Sequence, residues 1–420
     1  MKISKALSDY TWNFLSLGIL AASGTLINVI ILAFYSIDAL GVFNQTYALF
    51  VIFSQLSVLG IHYSVLKSTS QKAANHKLLS GILIGGIFAV FCSSTIAAVI
   101  FYFSSSFFSD LLNSILINET IKIVSPALFL FSLNKVLASF INGLEKMKEF
   151  AIINITRYLG LIAFLLLFIL LGFSQEDLMY MFLCSELLVF SLCIFLTSNY
   201  INFISYKTVI SIAYEHILFG CKALLSGIFV ELNFRIDVIV LGVFTSDAAV
   251  GIYSFFSLLA EGLYNVYVVV KNIINPKLAK LLDKNNFKDL KLFIFSALKT
   301  VYLMSIFFIP MLTLGIYFLI SFLPDANLLS ENFHILIILF SFIFLISGFI
   351  PFEMILTLAG KPELQSLQGL MVCVINLILN LALVPIYQGI GAAISTGISF
   401  LTGILIIYII ASRKLGIKIF

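Results

Sequence analysis

The chain has 420 residues, of which 61% are hydrophobic and only 10% are charged, and its mean hydropathy is +1.13. A water-soluble protein of this length could not bury so much apolar side chain, so the composition excludes that class. The net charge of +4 comes from basic residues between the apolar stretches and does not indicate nucleic-acid binding.

Twelve apolar stretches are long enough to cross a membrane, since a helix needs about 20 residues to span a hydrocarbon core of about 30 Å. In chain order they cover residues 12–35, 43–62, 79–103, 122–141, 150–172, 178–198, 216–244, 249–271, 292–322, 333–358, 365–386 and 390–411. The first follows Lys2 and Lys5 as a signal peptide would, but its length predicts an uncleaved span. Pro310 and Pro351 predict kinks in the ninth and tenth spans. The sequence therefore predicts an all-α polytopic membrane protein with twelve transmembrane helices.

Lysine and arginine lie in every second gap between these stretches. Lys67 and Lys72 follow the second span and the cluster Lys271–Lys291 follows the eighth, whereas the gaps after odd-numbered spans have a single basic residue, Lys122, which lies at the edge of the fourth span. By the positive-inside rule the basic gaps are cytoplasmic, and so are both termini. This pattern is typical of a multi-pass protein of the bacterial cell inner membrane.

The two halves of the chain contain a weak internal repeat. Asp38-Ala39-Leu40-Gly41-Val42-Phe43 opens the second span, and Asp247-Ala248-Ala249-Val250-Gly251-Ile252-Tyr253 opens the eighth. A second similarity joins residues 142–146, after span four, with residues 358–363, after span ten. We therefore predict two six-helix lobes, residues 1–205 and 206–420, related as parallel repeats, with a transport site between them.

The sequence gives no indication of enzymatic chemistry. It contains no metalloprotease, Walker or nucleophile-elbow motif, and its four histidines are isolated from one another. All five cysteines lie within predicted spans, which is typical of small apolar packing residues. We predict a protein that is not an enzyme and that uses no metal and no cofactor.

Cations inside the spans are the first candidates for a binding site, because lipid disfavours them. Lys135, Arg157, Lys222 and Lys299 each lie about six residues from a predicted cytoplasmic helix end, or roughly 9–10 Å deep. Together with Arg235, which lies deeper, they predict a basic vestibule for a phosphorylated headgroup. Arg157 is best suited to bidentate binding of phosphate. The alternative is that each side chain snorkels to the membrane surface.

Carboxylates inside the spans are candidates for coupling transport to an ion gradient, because burial favours their protonation. Glu231 and Arg235 are four residues apart on one helix face and could neutralise each other. Asp237 points to another face, so at least one of these three charges needs a partner from another helix or a watery cavity, and Glu261 is the natural candidate. Glu186 could instead be hydrogen-bonded within its own lobe. The predicted ion-coupling residues are Glu231, Asp237, Glu261 and Glu353.

Span eight also contains Tyr253, Tyr264 and Tyr267, whose rings could offer flat, hydrogen-bonding surfaces to sugars. With 17 tyrosines and 43 phenylalanines in the chain, ordinary helix packing is the simpler interpretation for any one of them.

Several segments of the second half form a recurring pattern. They are residues 237–242 leading to 250–254, Glu261 and Asn275-Pro276-Lys277-Leu278. The pattern continues with Ala359-Gly360-Lys361-Pro362, the apolar run between Asn376 and Pro385, and Gly389-Ile390-Gly391-Ala392-Ala393. Together these segments resemble the Wzx-type polysaccharide flippases of the multidrug/oligosaccharidyl-lipid/polysaccharide (MOP) exporter superfamily.

The resemblance implies two six-helix bundles arranged in a MATE-like V. It implies a flippase that moves an undecaprenyl-pyrophosphate-linked oligosaccharide, with the O-antigen repeat unit of lipopolysaccharide biosynthesis as the expected cargo. Transport would run from the cytoplasmic to the periplasmic leaflet by alternating access. The implied partners are membrane lipid, a polysaccharide polymerase and a chain-length regulator. The alternative is a MATE-type multidrug/cation antiporter, which shares the twelve-helix plan.

Overall fold

A computed structural model describes residues 2–72, 76–202, 204–283 and 287–415. Lys284 and Lys418, which belong to two of the predicted cytoplasmic basic segments, lie outside these ranges. Within them all regular structure is helical. The helices are α1 (Lys2–Phe34), α2 (Ile37–Val58), α3 (Ile61–Lys72), α4 (His76–Phe103), α5 (Ser105–Leu111), α6 (Ile115–Gly143), α7 (Met147–Leu170), α8 (Tyr180–Thr197), α9 (Tyr206–Phe244), α10 (Asp247–Asp283), α11 (Phe287–Ile320), α12 (Ala326–Glu331), α13 (His334–Ser347), α14 (Ile355–Leu358) and α15 (Pro362–Leu415).

Within the described part of the chain, eight helices are long and apolar enough to cross a membrane, and α13 with the segment Ile350–Leu358 forms a bent ninth. Each of the twelve predicted stretches lies mainly on helix, and α15 contains the last two. The prediction of an all-α polytopic membrane protein is therefore confirmed. The count of twelve spans and the cytoplasmic position of the termini stay predictions.

Three breaks interrupt the apolar helices. Leu59 and Gly60, both with positive φ, separate α2 from α3, and Gln388 (φ 49°, ψ −128°) interrupts α15 between the predicted eleventh and twelfth spans. At Pro351 the chain bends by 53° between α13 and Ile350–Leu358, as its proline predicts, whereas α11 runs through Pro310 without interruption. In lipid, the backbone N–H and C=O groups that a helix break leaves unpaired must find hydrogen-bond partners within the protein. Turn bonds such as Phe352 N–H to Phe349 O (2.8 Å) do this at Pro351.

The helices form two compact units. The first, called here the N-terminal unit, consists of the chain up to Tyr35 and Val42–Glu231. Its core includes Val136 and Phe140 of α6, packed among residues of α3, α4, α7 and α8. The first part of α9 belongs to this unit, because His216 Nδ1 lies 2.8 Å from Ser64 Oγ of α3.

The C-terminal unit consists of Ser36–Gly41 and Leu232–Phe420. Its core joins Leu278 of α10 and Ile294 of α11 to the segment around Ile355. These units are defined by packing and divide inside α9, so the predicted lobe boundary between residues 205 and 206 stays a prediction.

Candidate functional site

The N-terminal unit contains a buried ion pair between α7 and α8. Arg157 Nε donates to Glu186 Oε1 at 2.6 Å, and Nη2 donates to Oε2 at 3.3 Å. From α6, Asn134 Nδ2 donates to Glu186 Oε2 (2.7 Å) and to the Glu186 carbonyl (2.8 Å). Ser185 Oγ donates to the Arg157 carbonyl at 2.8 Å. Both charged side chains are at most 10% exposed, so the pair connects three helices in the interior of the unit.

Lys135 lies beside this ion pair on α6. Its Nζ is 5.7 Å from the centroid of the Phe131 ring, and the Arg157 guanidinium is 5.0 Å from the same centroid. Lys135 also interacts electrostatically with Glu231. Among the described residues its ammonium makes no hydrogen bond and no salt bridge of 4.0 Å or less. The structure therefore places two of the predicted cations on one aromatic ring, and only Arg157 has a direct carboxylate partner.

The other predicted cations lie elsewhere. Lys222 of α9 and Lys299 of α11 are exposed, the first in the N-terminal unit and the second in the C-terminal unit. Arg235 lies in the C-terminal unit, where its Nη2 is 3.7 Å from Glu261 Oε2 of α10. The ion-pair partner of Arg235 is thus on another helix. A partner from another helix was the expectation for the charged residues of the seventh predicted span. The vestibule of predicted cations stays a prediction.

Asp237 of α9 is the most deeply buried carboxylate of the C-terminal unit, at 2% exposure. Its Oδ2 accepts hydrogen bonds from Tyr253 Oη of α10 (2.5 Å) and Thr396 Oγ1 of α15 (2.8 Å). Its Oδ1 is buried and has no hydrogen-bond partner among the described residues. One oxygen of the carboxylate therefore joins three helices, and the other can still accept a hydrogen bond or bind a cation.

Two buried asparagines, Asn376 and Asn380, lie on the part of α15 that precedes the break at Gln388. Asn376 Nδ2 is 3.2 Å from the Asn233 carbonyl and 3.3 Å from its Oδ1. Asn380 Nδ2 donates in turn to the Asn376 carbonyl and Oδ1, both at 2.9 Å. These contacts connect α15 to α9 close to Asp237.

Glu353 lies in the broken segment after α13 and is held by two residues of α10. Tyr264 Oη donates to Glu353 Oε1 at 2.5 Å, and Lys271 Nζ lies 3.1 Å from Oε2. Both carboxylate oxygens are therefore occupied. The Tyr264 ring is also stacked on Phe400 of α15, with centroids 5.7 Å apart and planes 15° apart.

Several of these groups line a partly open cavity within the C-terminal unit. Its polar lining includes Asp237, Glu261 and Thr396, and its walls include the rings of Tyr264 and Phe400. Polar groups, aromatic faces and a partly open cavity therefore occur together here.

Some site residues were not identified from the sequence as contributors. Asn134, Asn233 and Thr396 had no assigned role, although Thr396 and the asparagines of α15 lie in or next to the motifs that carry the resemblance. The available signal was a polar side chain inside an apolar span. That signal is weak because serine, threonine and asparagine also occur at ordinary helix contacts.

The sequence profile of the family described as polysaccharide biosynthesis protein matches residues 6–280, more than half of the chain. The chain belongs to the polysaccharide biosynthesis protein family. This confirms the resemblance at family level through the segments 237–254 and 275–278, while the C-terminal motifs lie beyond the matched region. No curated protein sequence matches this polysaccharide biosynthesis protein significantly.

Solved membrane-protein structures share the fold of this polysaccharide biosynthesis protein. An inward-facing multidrug resistance MATE family transporter of the MOP superfamily aligns with a TM-score of 0.70 at 14% identity, covering 94% of this chain and 96% of that one. The lipid II flippase MurJ, in an inward closed conformation, aligns with a TM-score of 0.69 at 16% identity, covering 97% and 88%. The MATE multidrug transporter DinF-BH aligns with a TM-score of 0.64 at 15% identity, covering 99% and 97%. The fold of this chain is the one seen in these transporter and flippase structures.

Proposed function

We propose that this protein flips an undecaprenyl-pyrophosphate-linked oligosaccharide from the cytoplasmic to the periplasmic leaflet of the bacterial inner membrane by alternating access. The O-antigen repeat unit is the expected cargo. A polysaccharide polymerase and a chain-length regulator would act on the product. Support comes from the family, from the transporter fold and from the cations of the N-terminal unit.

The observation that carries the proposal is the state of Lys135. A partly buried ammonium without a direct carboxylate partner is costly in an apolar unit and is stabilised when an anion binds. A diphosphate supplies that anion. Phe131 and the neighbouring Arg157 already hold the site in place, so little rearrangement is needed when the headgroup arrives.

The other predicted cations take different roles in this proposal. Arg157 is a positioning residue, because Glu186 holds its guanidinium over Phe131. Lys222 and Lys299 are exposed and attract the headgroup to the membrane surface. Arg235 is the weakest diphosphate contact, because Glu261 lies 3.7 Å away and neutralises its charge.

Among the four predicted ion-coupling carboxylates we assign the coupling role to Asp237. Glu261 has Arg235 as a partner, Glu353 has Lys271, and Glu231 interacts with Lys135. Asp237 alone combines near-complete burial with an oxygen that has no partner among the described residues. A proton or a metal cation on Oδ1 would change the charge at the junction of α9, α10 and α15, which is how such a site couples to a conformational change.

Complementation tests the proposal through Lys135. In cells that lack the protein, we expect surface polysaccharide to be lost and to be restored by wild type and by Lys135→Arg. Lys135→Met should fail to restore it because the positive charge is gone. Lys122→Met is the matched control, since the side chain of that lysine is 32% exposed and has a carboxylate partner in Glu119 at 3.0 Å. Surface polysaccharide would be scored by gel at equal membrane levels of each variant. Full restoration by Lys135→Met would contradict the assigned site.

A MATE-type multidrug/cation antiporter is the second candidate. It is favoured by the carboxylates and aromatic rings that line the cavity of the C-terminal unit, which could receive an organic cation. The same deletion strain separates the two functions. Intact surface polysaccharide together with increased drug sensitivity would support the antiporter and overturn the flippase.

A further inference from the structure

We infer that the cavity of the C-terminal unit binds an uncharged sugar of the lipid-linked oligosaccharide, with the rings of Tyr264 and Phe400 as its platform. The inference rests on the proposed flippase function and deepens it.

The aromatic platform is fixed in position before any ligand binds. Tyr264 is held at its hydroxyl by Glu353, which is held in turn by Lys271. Its ring is stacked on Phe400, and Phe234 makes a T-shaped contact with its ring at 6.0 Å between centroids. Tyr264 and Phe400 are nevertheless only partly buried, and both line the cavity. A preorganised aromatic face of this kind favours the flat apolar side of a sugar ring.

The electrostatics of the lining favour a neutral ligand. Of the two carboxylates that line the cavity, Glu261 has its charge matched by Arg235. Asp237 is already bound by two hydroxyl donors. An organic cation would therefore find Glu261 neutralised. A phosphate or an acidic sugar would meet the oxygens of Asp237 and Glu261 at close range. A neutral sugar can donate its hydroxyl groups to the same oxygens without a net charge to desolvate.

The polar groups next to the platform complete the site. Asn233, Ser257 and Thr396 line the cavity together with the carboxylates, so donors and acceptors are both available to hydroxyl or acetamido groups. Asp237 lines the same cavity. Occupation by the sugar and by the coupling ion would therefore act on the same three helices, which gives substrate and ion a physical route to influence each other.

The test is transport by the purified full-length protein in proteoliposomes of fluorescent undecaprenyl-pyrophosphate lipids that differ only in the first sugar. One lipid carries a neutral N-acetylhexosamine and the other carries a uronic acid. We expect wild type to move the neutral lipid about tenfold faster than the acidic one. Phe400→Leu and Tyr264→Leu should lose most of this preference. Phe400→Tyr should keep it because the aromatic face remains.

The preference is a ratio between two lipids with one diphosphate and one tail, so general destabilisation of a variant does not change it. Phe318→Leu is the matched control, because this ring of α11 is 65% exposed and distant in sequence from the cavity residues. Equal or faster transport of the acidic lipid by wild type would overturn the sugar site while the flippase function stands. Retention of the full preference in both leucine variants would do the same. Failure of wild type to move either lipid would overturn the proposed function itself.

Discussion

The ion pair between Arg157 and Glu186 is almost completely buried, so its energetics depend on both partners being present. Each charge alone would be strongly disfavoured in the interior of the N-terminal unit. The pair is satisfied because Glu186 also accepts a hydrogen bond from Asn134, and because two nitrogens of Arg157 share its carboxylate. The sequence located both charges but could not pair them, since they lie on different helices and no local spacing connects them.

We expect Glu186→Gln to destabilise the protein by about 3–5 kcal/mol, because it leaves the Arg157 charge buried without a counter-charge. The measurement is thermal unfolding of the purified protein in detergent. The double variant Arg157→Met, Glu186→Leu should recover most of that stability, since it removes both charges together and Asn134 keeps its bond to the backbone carbonyl.

The same double variant also separates two roles of Arg157. If the arginine only positions neighbouring groups, the stable double variant will still restore surface polysaccharide to a large extent. Loss of function in a variant that is as stable as wild type would instead mark Arg157 as a direct contact of the diphosphate. A Glu186→Gln variant with unchanged stability would contradict the energetic account of the pair.

At the scale of helices, the two motifs that suggested an internal repeat pack on each other. The glycine at the fifth position of each helix, Gly41 in α2 and Gly251 in α10, lies against the first residue of the other helix. A Cβ atom on Gly251 would collide with the carbonyl oxygen of Ile37, and one on Gly41 would collide with that of Asp247. The contact is reciprocal, as expected when two copies of one motif pair around an approximate two-fold axis.

This crossing predicts a strong effect of Gly251→Leu. The atoms in the way belong to the backbone of α2, so no side-chain rotation relieves the collision and the helices must separate. We expect little folded protein on size-exclusion chromatography in detergent, and a smaller loss with Gly251→Ala. Gly262→Ala on the same helix is the control, because an added Cβ meets nothing within 4 Å there, and its stability should be unchanged or slightly higher. Normal folding of Gly251→Leu would contradict the close crossing.

The helices themselves could be predicted from the sequence to a large extent, because apolar runs of 20 or more residues have few alternatives. The bend at Pro351 was predictable from its proline. The break at Gln388 was predictable only as a gap between spans, and the split of α2 from α3 at Leu59 and Gly60 was not predicted. A glycine in an apolar run is common in membrane helices, so its presence does not by itself mark a break.

The candidate site was less accessible to sequence reasoning than the fold. Charges such as Lys135 and Asp237 were identified because lipid disfavours them. The partner residues were not identified, because they are far away in the sequence. Thr396 is 159 positions from Asp237, and Tyr264 is 89 positions from Glu353. Such contacts depend on which helices become neighbours, and a single sequence does not specify that.

For the whole molecule, the distribution of lysine and arginine is the basis of its predicted orientation in the membrane. Translocating a basic loop is unfavourable, so the alternation of basic and non-basic gaps predicts which loops stay in the cytoplasm. The largest cluster, Lys271–Lys291, includes the end of α10 and the start of α11, where Lys277, Lys280 and Lys288 are exposed. We therefore expect this cluster to have the greatest influence on the orientation of the C-terminal half.

Single cysteines labelled with a membrane-impermeant maleimide test this orientation in intact cells. The native cysteines must first be replaced, since Cys92 and Cys221 are exposed. We expect Asp110→Cys and Asn327→Cys to be labelled, because both lie in predicted periplasmic gaps. Lys148→Cys and Lys280→Cys should react only after permeabilisation. In chain order the four sites are expected outside, inside, inside and outside, so they test whether the number of crossings between them is even or odd as well as the direction. The reverse pattern would overturn the predicted cytoplasmic termini. Labelling of Asp110→Cys without Asn327→Cys would require an odd number of crossings between them and would contradict the predicted count.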